Sequence, residues 1–207
     1  MSTPLTSPQH ANLHQELASL RSALCTPWPT LLTLIAAAWA AWHTSFHHGS
    51  TAALTLLGAQ LALLAVIDLR TLTLPHLLTS LLALTGSIFA PLLLHVTLLS
   101  STIGGLVAFG GAFGLMALTD KLTGRASLGG GDVWLITAIG FWLGAGGLPL
   151  FVLASAVTGI ISVIASRLIG RGRNPFPFGP ALAAAGWLAM LYQPLYWHTV
   201  HTIAGTL

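Results

Sequence analysis

Apolar residues begin to dominate only after residue 27. Residues 1–27 are polar and rich in Pro, Ser and Thr, with Glu16 and Arg21 as their only charges. From Trp28 onward, long apolar stretches alternate with short polar breaks, at about 29–46, 51–69, 74–94, 98–119, 131–146, 147–169 and 178–194. Most approach the roughly 20 residues that carry an α-helix across about 30 Å of hydrocarbon. The fifth is shorter. Its end rests on Gly144, Gly146, Gly147 and Pro149, which disfavour a continuing helix. Period-two alternation is absent, and lipid tolerates only helices or closed barrels, so strands are disfavoured. The pattern predicts an all-α, polytopic membrane helical bundle of about seven transmembrane helices.

The tail has no basic region leading into a short apolar segment with a small-residue cleavage site, which argues against a removable signal peptide. Leu13, Leu17, Leu20 and Leu24 recur at helical spacing. A short amphipathic helix and a loosely ordered tail fit them equally well.

Composition agrees with a bilayer. The chain of 207 residues is 55% hydrophobic and 5% charged, against about 25% charged in soluble domains. So few charges cannot clothe a water-facing surface. One cysteine, Cys25, excludes a disulfide scaffold, and the net charge of +3 forms no basic patch for nucleic acid. Charge placement then orients the bundle. With seven spans, Arg21, Arg70, Lys121, Arg125, Arg167, Arg171 and Arg173 all fall on one face. The other face holds His43, His47, His48, His95, His198 and His201. The positive-inside rule makes the basic face, with the N-terminus, cytoplasmic. The fourth stretch carries Gly104, Gly105, Gly110, Gly111 and Gly114, and the step from Gly110 to Gly114 suits close helix packing, within one monomer rather than in a dimer. No internal repeat supports an inverted-repeat transporter.

Only four carboxylates exist, so each can be weighed alone. Glu16 lies in the tail, and Asp120 in a polar stretch where a surface role is the default. Asp68 ends an apolar run and Asp132 begins one, after Gly129-Gly130-Gly131. Ionisable groups at such depth are costly and point to function. A helix cap is the plain alternative, and Asp132 is placed as the N-cap of the fifth helix. That both emerge on one side favours chemistry. Two facing carboxylates perform aspartic proteolysis, one activating water while the other, protonated, polarises the scissile carbonyl. Gly129, Gly130 and Gly131 would let a substrate backbone approach. The ends of their own helices predict an ionised Asp132, at a helix start, and a protonated Asp68, at a helix end.

Ile67-Asp68-Leu69-Arg70-Thr71-Leu72-Thr73-Leu74-Pro75, then Gly129-Gly130-Gly131-Asp132, then Pro177-Phe178-Gly179-Pro180 resemble the blocks of the type IV prepilin peptidases, GxGD-type intramembrane aspartyl proteases. The resemblance covers about residues 27 to 194. It implies Asp68 and Asp132 as the catalytic pair. It also implies, as substrate, a type IV prepilin or pseudopilin with a short basic leader ending in Gly before a hydrophobic helix. Leader removal would occur at the cytoplasmic face of the bacterial inner membrane. On this reading residues 1–27 are a cytoplasmic tail and residues 28–207 the transmembrane peptidase domain. Three departures stand out. His76 replaces a second Asp common in the family, and Trp134 replaces a common Lys. Cys25 stands alone where bifunctional members carry two Cys-x-x-Cys pairs linked to methylation with S-adenosylmethionine. One thiolate cannot build that tetrahedral site. The expectation is a short form that cleaves without methylating, with no metal and no cofactor.

Other residues read more plainly. His43, His47 and His48 lie opposite the aspartates and read as interfacial polar residues. The seven tryptophans read mostly as interface anchors and packing. No Gly-x-Ser-x-Gly or His-Glu-x-x-His motif occurs. The rival to a peptidase is a non-enzymatic membrane protein, a proton-coupled carrier or assembly scaffold. A carrier would more naturally place its ionisable groups near the bilayer midplane. Within the peptidase class, a GxGD protease acting on other substrates is the alternative.

Overall fold

The computed structural model describes residues 31–32, 35–36, 39, 51–124, 129–168 and 177–204. The tail of residues 1–27 with Cys25, the His43–His48 cluster, Arg125, Arg171 and Arg173 lie outside the described residues. Five helices, and no strand among the described residues, make up the rest: α1 (Thr51–Thr71), α2 (His76–Leu93), α3 (Leu98–Thr123), α4 (Gly130–Leu168) and α5 (Gly179–Ala204). Leu31, Leu32, Ile35, Ala36 and Trp39 are helical as well. α1 to α4 are each long and apolar enough to cross a membrane.

The helix ends are locally encoded. α1 stops where Leu72 turns left-handed (φ 53°), its N–H still bonded to the Asp68 carbonyl at 2.9 Å. α2 ends with His95 left-handed (φ 57°), and the N–H groups of Leu94 and Val96 both return to the Ala90 carbonyl, at 3.1 and 3.4 Å. Thr97 then caps α3 by accepting from the Ser100 N–H at 3.1 Å, and left-handed Gly124 closes it.

α4 has 39 residues, which as one rod would extend roughly 58 Å, about twice the hydrocarbon thickness. It is two limbs. Gly144 is non-helical, at φ 66° and ψ 176°, inside the stretch of glycines where the sequence predicts a break. The contacts with α5 give the direction of each limb. On the first limb, Ile139 faces Gly186, and the Leu143 carbonyl accepts from Gln193 Nε2 at 3.3 Å. Beyond the break, Trp197 Nε1 donates to the Gly146 carbonyl at 3.1 Å. Later still, the Thr158 hydroxyl donates to the Ala181 carbonyl at 3.0 Å. The chain therefore climbs beside α5 and descends it again. α5 itself continues through Pro194 to Ala204, beyond the predicted end at 194. The Gln193 and Trp197 bonds to α4 hold this stretch in place despite the proline.

α4 packs on α3, α5 and α2, and α1 on α5 and α2. The core centres on Trp142, fully buried, whose Nε1 donates to the Leu82 carbonyl of α2 at 2.9 Å. Gly86 makes room for it, since a methyl there would lie 2.6 Å from Trp142 Cδ1. Trp142 is thus a packing tryptophan, not an interface anchor. The fourth-stretch glycines divide in two. Gly104 lies against the backbone of Gly140 and Gly144, and Gly105 against the Phe141 ring. A methyl on Gly110, Gly111 or Gly114 would meet nothing within 4 Å among the described residues. The predicted packing at Gly110 and Gly114 finds no partner among the described residues.

Candidate active site

Asp68 and Asp132 come together at one end of the bundle. α1 and α3 end there, and α2, α4 and α5 begin there. Asp68 sits in the last turn of α1 and is 5% exposed. Its Oδ2 accepts from the Gly179 backbone N–H at 2.8 Å, so a residue from the end of α1 caps the start of α5. A methyl on Gly179 would lie 2.7 Å from that oxygen. Pro180 follows, pre-set for a helix start and without an N–H. The Ala181 and Leu182 N–H groups both bond to the Phe178 carbonyl at 3.1 Å.

Asp132 is in the first turn of α4. It is not the N-cap itself, as the sequence suggests, because the helix begins two residues earlier. Its carboxylate accepts instead from the backbone N–H of Gly129, while its own N–H bonds the Gly129 carbonyl at 3.0 Å. This is the backward half of a capping box. The two carboxylates are close enough to interact electrostatically. In a low-dielectric setting two such groups resist carrying full charge together, and a shared proton relieves the repulsion. The helix-end expectation for that proton loses its premise here. Asp68 lies at the end of its own helix and also at the start of α5.

The three glycines before Asp132 have different surroundings. Gly129 faces the Asp132 carboxylate, and a methyl on Gly131 would lie 2.9 Å from Leu74 Cβ. Leu74 is the buried residue before Pro75, so Gly131 lets the link from α1 to α2 pass close to α4. Among the described residues, a methyl on Gly130 would meet nothing within 4 Å. Asp120 lies near the end of α3, where its carbonyl accepts from the Gly124 N–H. Beside the pair, His76 at the start of α2 meets Trp134 edge-on. Sequence reasoning missed Gly179 as a partner of Asp68. A Gly-Pro pair opening a helix was the available signal, since such a start leaves a backbone donor for an acid. An apolar cavity of about 430 Å³ runs between Ile35, Trp39, Gly58, Ala65, Pro180 and Trp187. Ala65 is one turn before Asp68, and Pro180 follows the glycine bonded to it. Among the described residues no group of three or more His, Cys, Asp or Glu could hold a metal ion.

Long apolar helices make this a multi-pass membrane protein, with a buried carboxylate, Asp68, and a partly exposed one, Asp132, interacting at one end. The chain belongs to the type IV leader peptidase family, whose family model matches residues 54–164. A prepilin leader peptidase/N-methyltransferase of Neisseria gonorrhoeae is 35% identical over 146 residues, 70% of this chain and 50% of that protein. The protein of the same name from Aeromonas salmonicida is 38% identical over the same shares. That from Pseudomonas aeruginosa is 32% identical over 98% of this chain and 70% of the relative. The chain thus spans about half the length of several curated relatives it matches. No solved structure matches it.

Proposed function

We propose that the chain is an aspartic endopeptidase that removes the leader from type IV prepilins or pseudopilins, with Asp68 and Asp132 as its catalytic pair. The observation that carries this reading is the interaction of these two carboxylates at one end of the bundle. One carboxylate takes a proton from a water, whose oxygen attacks the scissile carbonyl, while the protonated partner donates to the carbonyl oxygen. Collapse of the tetrahedral intermediate breaks the C–N bond and returns a proton to the departing amine. The products are a leader with a new carboxylate and a mature chain with a free amine. Gly130, whose added methyl would meet none of the described residues within 4 Å, leaves room for the substrate backbone beside Asp132.

The apolar helix that follows the cleavage site lies along the cavity between Trp39, Gly58 and Trp187, which leads its polar end to Asp68. Seven crossings result if the two limbs of α4 are counted separately and the stretch at 29–46 supplies the first. Arg70, Lys121 and Arg167 close α1, α3 and α4 at the end that holds the pair. The positive-inside rule makes that end cytoplasmic, in the inner membrane. A carrier reading has less support, because the acids sit at one end of the helices rather than midway.

The test is co-expression with a prepilin, with the processed product read by mass spectrometry. Asp68→Asn and Asp132→Asn each abolish cleavage while still inserting, because an amide keeps the shape but cannot exchange the proton. Asp120→Asn cleaves normally. Wild-type processing by either of the first two variants would overturn the pair.

A further inference from the structure

Each carboxylate of the pair is held by one backbone N–H, and in each case the donor is a glycine. Gly179 donates to Asp68 Oδ2 at 2.8 Å, and Gly129 donates to the Asp132 carboxylate. The missing side chain points at the acid both times. A methyl would lie 2.7 Å from Asp68 Oδ2 at Gly179 and 3.1 Å from Asp132 Oδ2 at Gly129. Real Cβ atoms essentially never sit under 3.0 Å from a neighbour, so an alanine at Gly179 displaces the Asp68 carboxylate, whereas at Gly129 the Asp132 oxygen must give way by a few tenths of an ångström. Donors further along each first turn are already engaged. Ala181 and Leu182 bond to the Phe178 carbonyl, and Asp132 and Val133 to the Gly129 carbonyl. Pro180 has no N–H to offer.

The two glycines lie in different parts of the sequence, one before α4 and one opening α5, yet they make the same contact. A purely structural cap would not require this. Any residue with an N–H can donate at a helix start, and a side chain is ordinarily accommodated there.

We propose that Gly129 and Gly179 are positioning residues for the acid pair. Each fixes one carboxylate oxygen as a standing acceptor, so the proton shared by the pair is confined to the remaining oxygen of each acid. This assignment rests on the dyad reading. It gives the first glycine of the Gly129–Asp132 block and the glycine of the Pro177–Pro180 block the same task. The reactive oxygens are then set by backbone, which moves less than side chains, before any substrate arrives.

The experiment uses the full chain in lipid nanodiscs with a synthetic substrate, a basic leader ending in Gly followed by an apolar helix. Gly129→Ala and Gly179→Ala are compared with Gly114→Ala, a glycine on the open face of α3. The two site variants lose on the order of 10- to 100-fold in kcat, the scale of a small misplacement of a reacting group, with KM held within about twofold. They also displace a limb of the pH profile of kcat by about half a unit or more, because a carboxylate that changes its donors changes its proton affinity. Gly114→Ala alters neither quantity. If a site variant fails to fold, selective ¹⁵N-glycine NMR provides the second reading. The Gly179 amide resonance moves on Asp68→Ala and the Gly129 resonance moves on Asp132→Ala. Wild-type kcat and pH profile in both glycine variants would overturn the proposal, as would amide resonances indifferent to loss of the acids. The Asn variants of Asp68 and Asp132, run in the same assay, separate this failure from failure of the dyad. If they are inactive while the glycine variants are fully active, only the positioning role falls.

Discussion

The imidazole of His76 stands edge-on to the indole of Trp134, with ring centroids 6.5 Å apart and planes at 85°. These are the two positions beside the acid pair where the resemblance noted in the sequence implies an Asp and a Lys, and the fold makes them neighbours. An acid and a lysine facing each other would form an ion pair. Here an edge-to-face aromatic contact occupies the same place. The rings continue along the exposed face, since Trp134 lies 6.0 Å from Phe109, which stacks on Phe113 at 5.8 Å. The rim beside Asp132 is therefore tied to α2 and α3 by aromatic contacts.

Removing either ring should expose this coupling. In a double-mutant cycle, His76→Ala and Trp134→Ala should show an interaction of about 0.5–1.5 kcal/mol, the range for aromatic pairs. Reversible unfolding in mixed detergent micelles measures it. The joint exchange His76→Asp with Trp134→Lys should retain more cleavage activity than His76→Asp alone, whose added carboxylate has no partner. Additive effects in the cycle would mean that the ring contact carries no energy.

The α4 reversal depends on one backbone conformation. Gly144, at φ 66° and ψ 176°, occupies a region essentially confined to glycine, where other residues cost about 1–3 kcal/mol. A methyl there would also lie 2.7 Å from Ser100 Oγ, the atom that accepts from the Ala145 N–H at 3.2 Å. Gly144→Ala should therefore lower unfolding stability by at least that range. Ser100→Ala should cost less, since it removes one acceptor without straining the backbone. Equal losses from the two variants would show that strain at Gly144 is not the main term.

The glycines of α3 should respond according to which face they occupy. A methyl on Gly104 would lie 2.5 Å from the Gly140 carbonyl oxygen, and backbone cannot move aside as a side chain can. Gly104→Ala should destabilise by about 1–3 kcal/mol or more. Gly110→Ala should be neutral or gain up to about 1 kcal/mol from helix propensity, because among the described residues an added methyl meets nothing within 4 Å. Yield and thermal midpoint of the purified variants give the ordering. A loss at Gly110 equal to that at Gly104 would contradict the packing described here.

The sequence by itself determined the helical class, most helix starts and stops, and the two acids worth examining. These are local properties. Apolar run length selects membrane helices, Gly144 cannot continue one, and a carboxylate at the end of an apolar run is costly wherever the chain goes. Tertiary structure alone decided the rest. Periodicity could not say that Gly104 packs while Gly110 and Gly114 stand open, because glycines lie on both faces of α3. Nor could the helix end of Asp68 reveal its partner, for Gly179 lies 111 residues further along the chain. That bond exists because α1 and α5 pack side by side and bring a helix end to a helix start. The electrostatic setting of Asp68 therefore belongs to the packed pair of helices. No single stretch of sequence contains it.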